Sequence, residues 1–179
     1  MRWMWIDRVV ELVAGERLVA IKNVSLAEDH LHDHFAEVRD AGGSVVRSAI
    51  PVMPGSLVVE GMAQAAGILV GHAEGFAEKV ILAKVTRARL DREAGPGMTL
   101  RYTAELVQQS PLGASTKGRV ELLDHADGAA AEWVEIGQID LMFSHLDQNM
   151  AGAEFPEHNF VFSESFRTLL RSSGIACDF

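Results

Sequence analysis

Cysteine is almost missing from this chain: among 179 residues only Cys177 carries a thiol. An intramolecular disulfide is therefore impossible, and no thiolate metal site suggests itself. Positive charge is also scarce. With 16 lysines and arginines against 25 acidic residues, the formal net charge is −9. Such a chain has no broad cationic field to release counterions from phosphates, so no nucleic-acid partner is expected. No apolar run reaches the roughly 20 residues of a bilayer span, so no membrane segment is expected either. The N-terminus lacks the charged-then-apolar order of a signal peptide, because Asp7, Arg8 and Glu11 interrupt it, and the cytoplasm is the expected compartment. The length suits one domain able to bury a real core.

What the chain does have is one long apolar stretch, Pro51 to Val70. Pro54 cannot donate a backbone hydrogen bond, so a helix is expected to start just after it. From Leu57 to Val70 almost every residue is apolar. A helix that is hydrophobic all round is a buried helix. Only Glu60 and Gln64 interrupt it, four apart and so on one face. A carboxyl group among Val58, Val59, Met62 and Ala63 is expected to lose solvation, which raises its pKa and suits it to donate a proton near neutral pH. Gln64 can orient it. The plainer alternative is a structural carboxylate satisfied by backbone or by an arginine.

Around that helix the pattern is mostly of strands. Residues 1–14, with Trp3, Trp5, Ile6, Val9 and Val10, suggest a short helix capping the core. Gly15-Glu16 reads as a turn, and Arg17 to Ser25 as a strand. His30, His32 and His34 follow at alternate positions. An extended backbone would put them on one side, so a metal site is weighed against three loop histidines. Residues 36–50, centred on Ala41-Gly42-Gly43-Ser44, read as an exposed loop that could serve as a lid. Strands are expected over Val80–Leu90, Thr99–Val107, Lys117–Leu123 and Glu132–Ser144, with a β-bulge near Gly137 where the apolar phase changes. The layout is α+β: an antiparallel sheet wrapped around one long buried helix. Residues 1–145 form that domain. Residues 146–179 look like an extension in which Ser163 could cap a short helix carrying Phe166, Leu169 and Leu170. The densest basic run, Lys84, Arg87, Arg89 and Arg92, is either a docking patch for an acidic partner or an ordinary solvated strand face.

Several runs taken together resemble the 3-hydroxyacyl-[acyl-carrier-protein] dehydratases of bacterial type II fatty-acid synthesis. They are Asp7-Arg8-Val9-Val10-Glu11, Lys22-Asn23-Val24-Ser25, His34-Phe35, Pro51-Val52-Met53-Pro54-Gly55, and Glu60 with Ala63-Gln64-Ala65-Ala66-Gly67. The similarity covers roughly residues 3–145. It implies a hot-dog fold and a homodimer or trimer of dimers with sites at the dimer interface. It also implies a thioester substrate on acyl carrier protein or coenzyme A, with no cofactor and no metal. By position, His34 would be the catalytic histidine and Glu60 the catalytic carboxylate, contributed by opposite subunits. Gly55 would supply the amide that holds the thioester carbonyl, and Gln64 would orient the carboxylate. Glu at position 60 looks like the dehydratase-only branch. One departure stands out: in the family His-Phe runs almost directly into the Pro-Val-Met-Pro-Gly motif, whereas here residues 36–50 intervene. The expected reaction is dehydration of 3-hydroxyacyl thioesters to trans-2-enoyl thioesters. The alternatives are a hot-dog thioesterase using Glu60 and water, and a non-catalytic acyl-binding protein.

Overall fold

The computed structural model describes residues 3–146, 156 and 159–177. Six strands form one antiparallel sheet in the order β1-β2-β6-β7-β8-β5, namely Arg8–Val13, Arg17–Asn23, Met98–Ser110, Gly113–Asp124, Val134–His145 and Val80–Leu90. A short helix α1 (Asp29–Asp33), a two-stranded ribbon of β3 (Val38–Arg39) and β4 (Val45–Arg47), and a long helix α2 (Gly55–Ala73) fall between β2 and β5. Helix α3 (Glu164–Ser172) closes the described chain.

Alternation decides which face of the sheet meets α2. Leu100, Tyr102 and Ala104 of β6 are fully buried, with Leu18 and Ala20 of β2 and Ile139 and Leu141 of β8 on the same inner face. The bulge expected at Gly137 is present: Val120 pairs with Gly137, Glu121 pairs with Glu135, and the register shifts between them. A side chain at position 137 would lie 2.1 Å from the Arg89 carbonyl oxygen, so glycine is required for that close approach.

Helix α2 starts where Pro54 directs it, with the Pro54 carbonyl accepting from the amides of Leu57 (2.9 Å) and Val58 (3.3 Å). It is long and apolar enough to cross a membrane, but 67% of its most apolar window is buried inside the protein. Small residues let it lie close to the sheet. A Cβ at Gly61 would stand 2.6 Å from the Tyr102 hydroxyl and 2.8 Å from the Trp5 carbonyl. The burial is not complete all round: Val59, Glu60 and Gly67 are only half-buried, and Ser56 is exposed. These positions share a stripe that the sheet does not cover.

Two expectations need correction. Residues 8–13 are not a capping helix but the edge strand β1, because Gly15 (φ 68°) reverses the chain and the valines at 9, 10 and 13 suit a pleated edge. Residues 29–33 are helical rather than extended, so His30, His32 and His34 do not share one side. No group of three or more His, Cys, Asp or Glu among the described residues could hold a metal ion. The loop expected at 36–50 is an exposed ribbon, closed at its base by the Ile50 amide donating to the Phe35 carbonyl at 3.0 Å. Ser163 does precede α3, but its hydroxyl makes no capping bond.

Gly61→Ala is expected to destabilise the fold by about 1–3 kcal/mol through overpacking against Tyr102 and Trp5, read as a lower urea midpoint at unchanged m-value. A second expectation concerns His30, whose ring meets Trp5 edge-on at 5.1 Å. Burial outweighs the nearby Glu28 and holds its imidazole below the ordinary value. Below about pH 6.5 the unfolded chain therefore binds the proton that the folded chain resists, and stability falls as pH falls. In unfolding melts from about pH 7 down to about pH 5, wild type should lose stability relative to His30→Phe.

Candidate active site

The site is framed by the N-terminal motif residues. Lys22 is buried and donates to Glu28 Oε1 (2.6 Å), to the Asn23 carbonyl (2.8 Å) and, more weakly, to Asp7 Oδ1 (3.4 Å). Asp7 Oδ2 accepts from the Asn23 amide at 2.7 Å, and Glu28 Oε2 from the Ser25 amide at 3.0 Å. This network ties the end of β2 to the start of α1, and α1 carries His34 at its far end. The His34 amide donates to the His30 carbonyl at 3.2 Å, and its ring meets Phe35 edge-on at 4.3 Å.

His34 and Gly55 line the same cavity, about 570 Å³ in volume, together with Met53, Arg92 and Ala94. The Met53 amide donates to the Ala94 carbonyl at 2.8 Å, which holds the Pro51–Pro54 turn against the β5–β6 connection and aims the start of α2 into the cavity. The first amides of a helix have no intrahelical partner and sit at the positive end of its dipole, so this end of α2 suits a carbonyl oxygen that gains negative charge. The insertion leaves this arrangement in place. Because its base is pinched between Phe35 and Ile50, His34-Phe35 and Pro51 lie at the root of the same ribbon.

Glu60 and Gln64 form a second cluster. The Trp5 amide donates to Gln64 Oε1 at 2.8 Å, which fixes the orientation of the side-chain amide. Gln64 Nε2 then donates to the Trp3 carbonyl (3.2 Å) and to Glu60 Oε1 (3.0 Å). The Trp3 indole N–H donates to the same Oε1 at 3.1 Å. Both bonds fall on one carboxylate oxygen, and Oε2 is left for another partner. Glu60 is half-buried rather than enclosed, and it opens on an apolar cavity of about 270 Å³.

His34 and Glu60 thus line different cavities of one chain. Five residues along a helix separate Gly55 from Glu60 by about 7.5 Å and turn them about 140° apart. The four-residue spacing that sets Glu60 and Gln64 on one face of the helix is present in the structure, while His34 and Gly55 meet in a separate cavity, and within one chain His34 does not share a cavity with Glu60. Sequence patterns alone missed Trp3 and Trp5, which grip the Gln64 amide and Glu60, and Arg92, whose cavity position only the β5–β6 turn decides.

A family model described as a FabA-like domain matches residues 2–125. The 3-hydroxyacyl-[acyl-carrier-protein] dehydratase FabZ of Ruminiclostridium cellulolyticum is 36% identical over 135 residues, covering 75% of this chain and 84% of that protein. The FabZ of Thiobacillus denitrificans is 33% identical over 138 residues, again covering 75% and 84%. Among solved structures, the dehydratase heterocomplex ApeI:P from Xenorhabdus doucetiae has a TM-score of 0.55 at 17% identity, covering 80% of this chain and 83% of that one. A Streptococcus mutans protein solved with acetyl CoA has a TM-score of 0.53 at 9% identity, covering 77% and 86%. At such identities these structures establish the fold alone, a hot-dog in which a curved antiparallel sheet grips a central helix. On the family model and the curated relatives together, the chain belongs to the FabA-like family, alongside the 3-hydroxyacyl-[acyl-carrier-protein] dehydratases named FabZ.

Proposed function

We propose that this protein removes water from 3-hydroxyacyl thioesters carried on acyl carrier protein, giving trans-2-enoyl thioesters in acyl-chain synthesis in the cytoplasm, and that each site is completed by two copies of the chain. The observation that carries this is the separation of His34 and Gly55 from Glu60 and Gln64 into two open cavities of one chain. A homodimer brings the first pair of one protomer to the second pair of the other. Strand β5 favours such pairing. It ends the sheet, so one backbone edge has no neighbouring strand among the described residues, and Leu82 and Val85 are exposed on it. The uncovered stripe of α2 lies beside that strand, since Glu60, Gly67 and Leu82 line one cavity.

The chemistry follows from the groups. The His34 imidazole takes the C2 proton of the substrate while the Gly55 amide, backed by the helix dipole, holds the thioester oxygen as charge builds there. The carboxyl of Glu60 on the second protomer, steadied by Gln64 and Trp3, gives its proton to the C3 hydroxyl, which leaves as water. The proton on His34 then returns to the carboxylate through solvent. Each step uses only side chains and backbone. Arg92 in the His34 cavity offers a cation to the phosphate that a pantetheine carrier bears.

Enoyl formation from 3-hydroxyacyl carrier-protein thioesters should fall about 10²–10⁴-fold in both His34→Ala and Glu60→Gln. Co-expressing the two variants should restore about a quarter of wild-type activity, because half the dimers are mixed and each mixed dimer holds one intact site. No recovery in a verified mixed dimer would refute the shared site, and release of free thiol without enoyl product would point to thioester hydrolysis instead. Gln64→Leu strips the Trp5 amide of its acceptor. It should lower stability by about 1–3 kcal/mol and kcat by more than KM changes, measured by chemical unfolding and steady-state assay.

A further inference from the structure

We infer that the C-terminal segment sets the length of acyl chain this protein accepts, with Phe166 and Val161 forming the wall that the chain end meets. This rests on the dehydratase assignment above and extends it to residues beyond the 2–125 matched by the family model.

The cavity at Glu60 has a direction. Glu60, Ala63 and Gln64, and Gly67 lie along one stripe of α2, so it runs from the carboxyl group about 10 Å along the helix. Its polar groups, Glu60 and Gln64, lie at one end. The rest of its lining includes Leu82, Val161, Phe166 and Phe143, which stands beside Gly67. A thioester whose C3 hydroxyl sits at Glu60 therefore has an apolar path for the rest of its chain. At about 270 Å³ the space lies at the small end of ligand pockets and holds about nine groups of water size. Which chain fits is decided by whatever closes the far end, and the tail meets α2 on that side, with the Phe162 ring against Gly71, one turn beyond Gly67.

The tail is built in rather than draped over. Asn159 donates from Nδ2 to the carbonyls of Phe76 (2.9 Å) and Glu78 (3.0 Å), fastening the segment to the α2–β5 turn. The Val161 amide returns a bond to Asn159 Oδ1 at 3.1 Å. Phe162 is buried and meets Phe76 edge-on at 5.0 Å and Phe166 at 5.9 Å. A Cβ at Gly71 would lie 2.5 Å from the Phe162 ring, so the helix keeps a bare position to receive it. Beyond α3, the Ser173 hydroxyl accepts from the Val9 amide at 3.1 Å, beside the bulge of β1. Leu169 and Leu170 are buried, and α3 packs on β1. Phe162 is thus the bolt, and the half-buried Phe166 and Val161 are the face it presents to the cavity.

The test compares wild type, Phe166→Ala and Phe166→Trp on short-, medium- and long-chain 3-hydroxyacyl carrier-protein thioesters, with chemical unfolding run alongside. Phe166→Ala should raise the long-to-short ratio of kcat/KM by about ten-fold, and Phe166→Trp should lower it. An unchanged ratio, or an equal loss at every length, would overturn the inference. If wild type dehydrates none of these substrates, the dehydratase assignment fails. The wall is then read from displacement of a fluorescent fatty acid by saturated fatty acids of graded length. A shift of the preferred length in Phe166→Ala would uphold it, and no shift would overturn it.

Discussion

Everything in this molecule depends on how closely α2 lies against the inner face of its sheet. That closeness is granted by glycine and alanine rather than by large side chains filling a gap. Gly61 faces the Tyr102 hydroxyl and the Trp5 carbonyl, and Ala65 and Ala66 are fully buried beside it. Interiors pack at near-crystalline density, so a helix held this close has little freedom to rotate or slide. The positions of the Gly55 amide and the Glu60 carboxylate along it are therefore set by the scaffold. Tyr102 contributes from the opposite side. Its hydroxyl is so deeply buried that its ionisation is pushed far up, and the ring serves as a neutral strut.

The same rigidity explains the division of the site. A straight helix cannot turn Gly55 and Glu60 toward one cavity, and the sheet prevents it from bending. The orienting bonds nevertheless converge on the carboxylate from within the chain: the Trp5 amide aligns Gln64, and Gln64 with the Trp3 indole aligns Glu60. Each chain thus fixes its own carboxylate in place, in a cavity apart from the one that His34 and Gly55 line. The insertion at 36–50 is accommodated because an antiparallel ribbon returns to its starting point, so added length does not move the residues at its base.

The charges fall into the same scheme. Lys22, itself buried and paired with the half-buried Glu28 and the exposed Asp7, sits on a structural joint between β2 and α1. Arg101 lies over the Trp133 ring at 4.2 Å and pairs with Glu121 across neighbouring strands at 2.6 Å, and its hydrogen bond and charge hold the Glu121 carboxyl below its usual range. On β5, Arg87 and Arg89 are engaged with Asp140 and Asp91. The basic run seen in the sequence is thus partly a ladder of neutralised pairs.

Local rules were enough for much of this protein. Pro54 announces the start of α2, unbroken apolar residues announce its burial, alternation marks β6, and the phase change at Gly137 marks a real bulge. Each of these follows from backbone sterics or side-chain period within a few residues. Family motifs likewise singled out His34, Gly55, Glu60 and Gln64, which the structure distributes between two cavities. What the chain alone did not disclose depends on contacts between distant segments. The tryptophans at 3 and 5 lie about sixty positions from the carboxylate and glutamine they steady, and nothing local to them signals that task. His30, His32 and His34 alternate in sequence but wind into a helical turn, which no two-residue period reveals. Phe162 and Phe166 reach the Glu60 cavity only because Asn159 and Ser173 moor the tail to α2 and β1. Sequence determined which ionisable and polar groups the long helix and its neighbouring segments carry. Tertiary packing alone decided which groups share a cavity, because that depends on the rotation of a single helix against a sheet whose strands lie far apart along the chain.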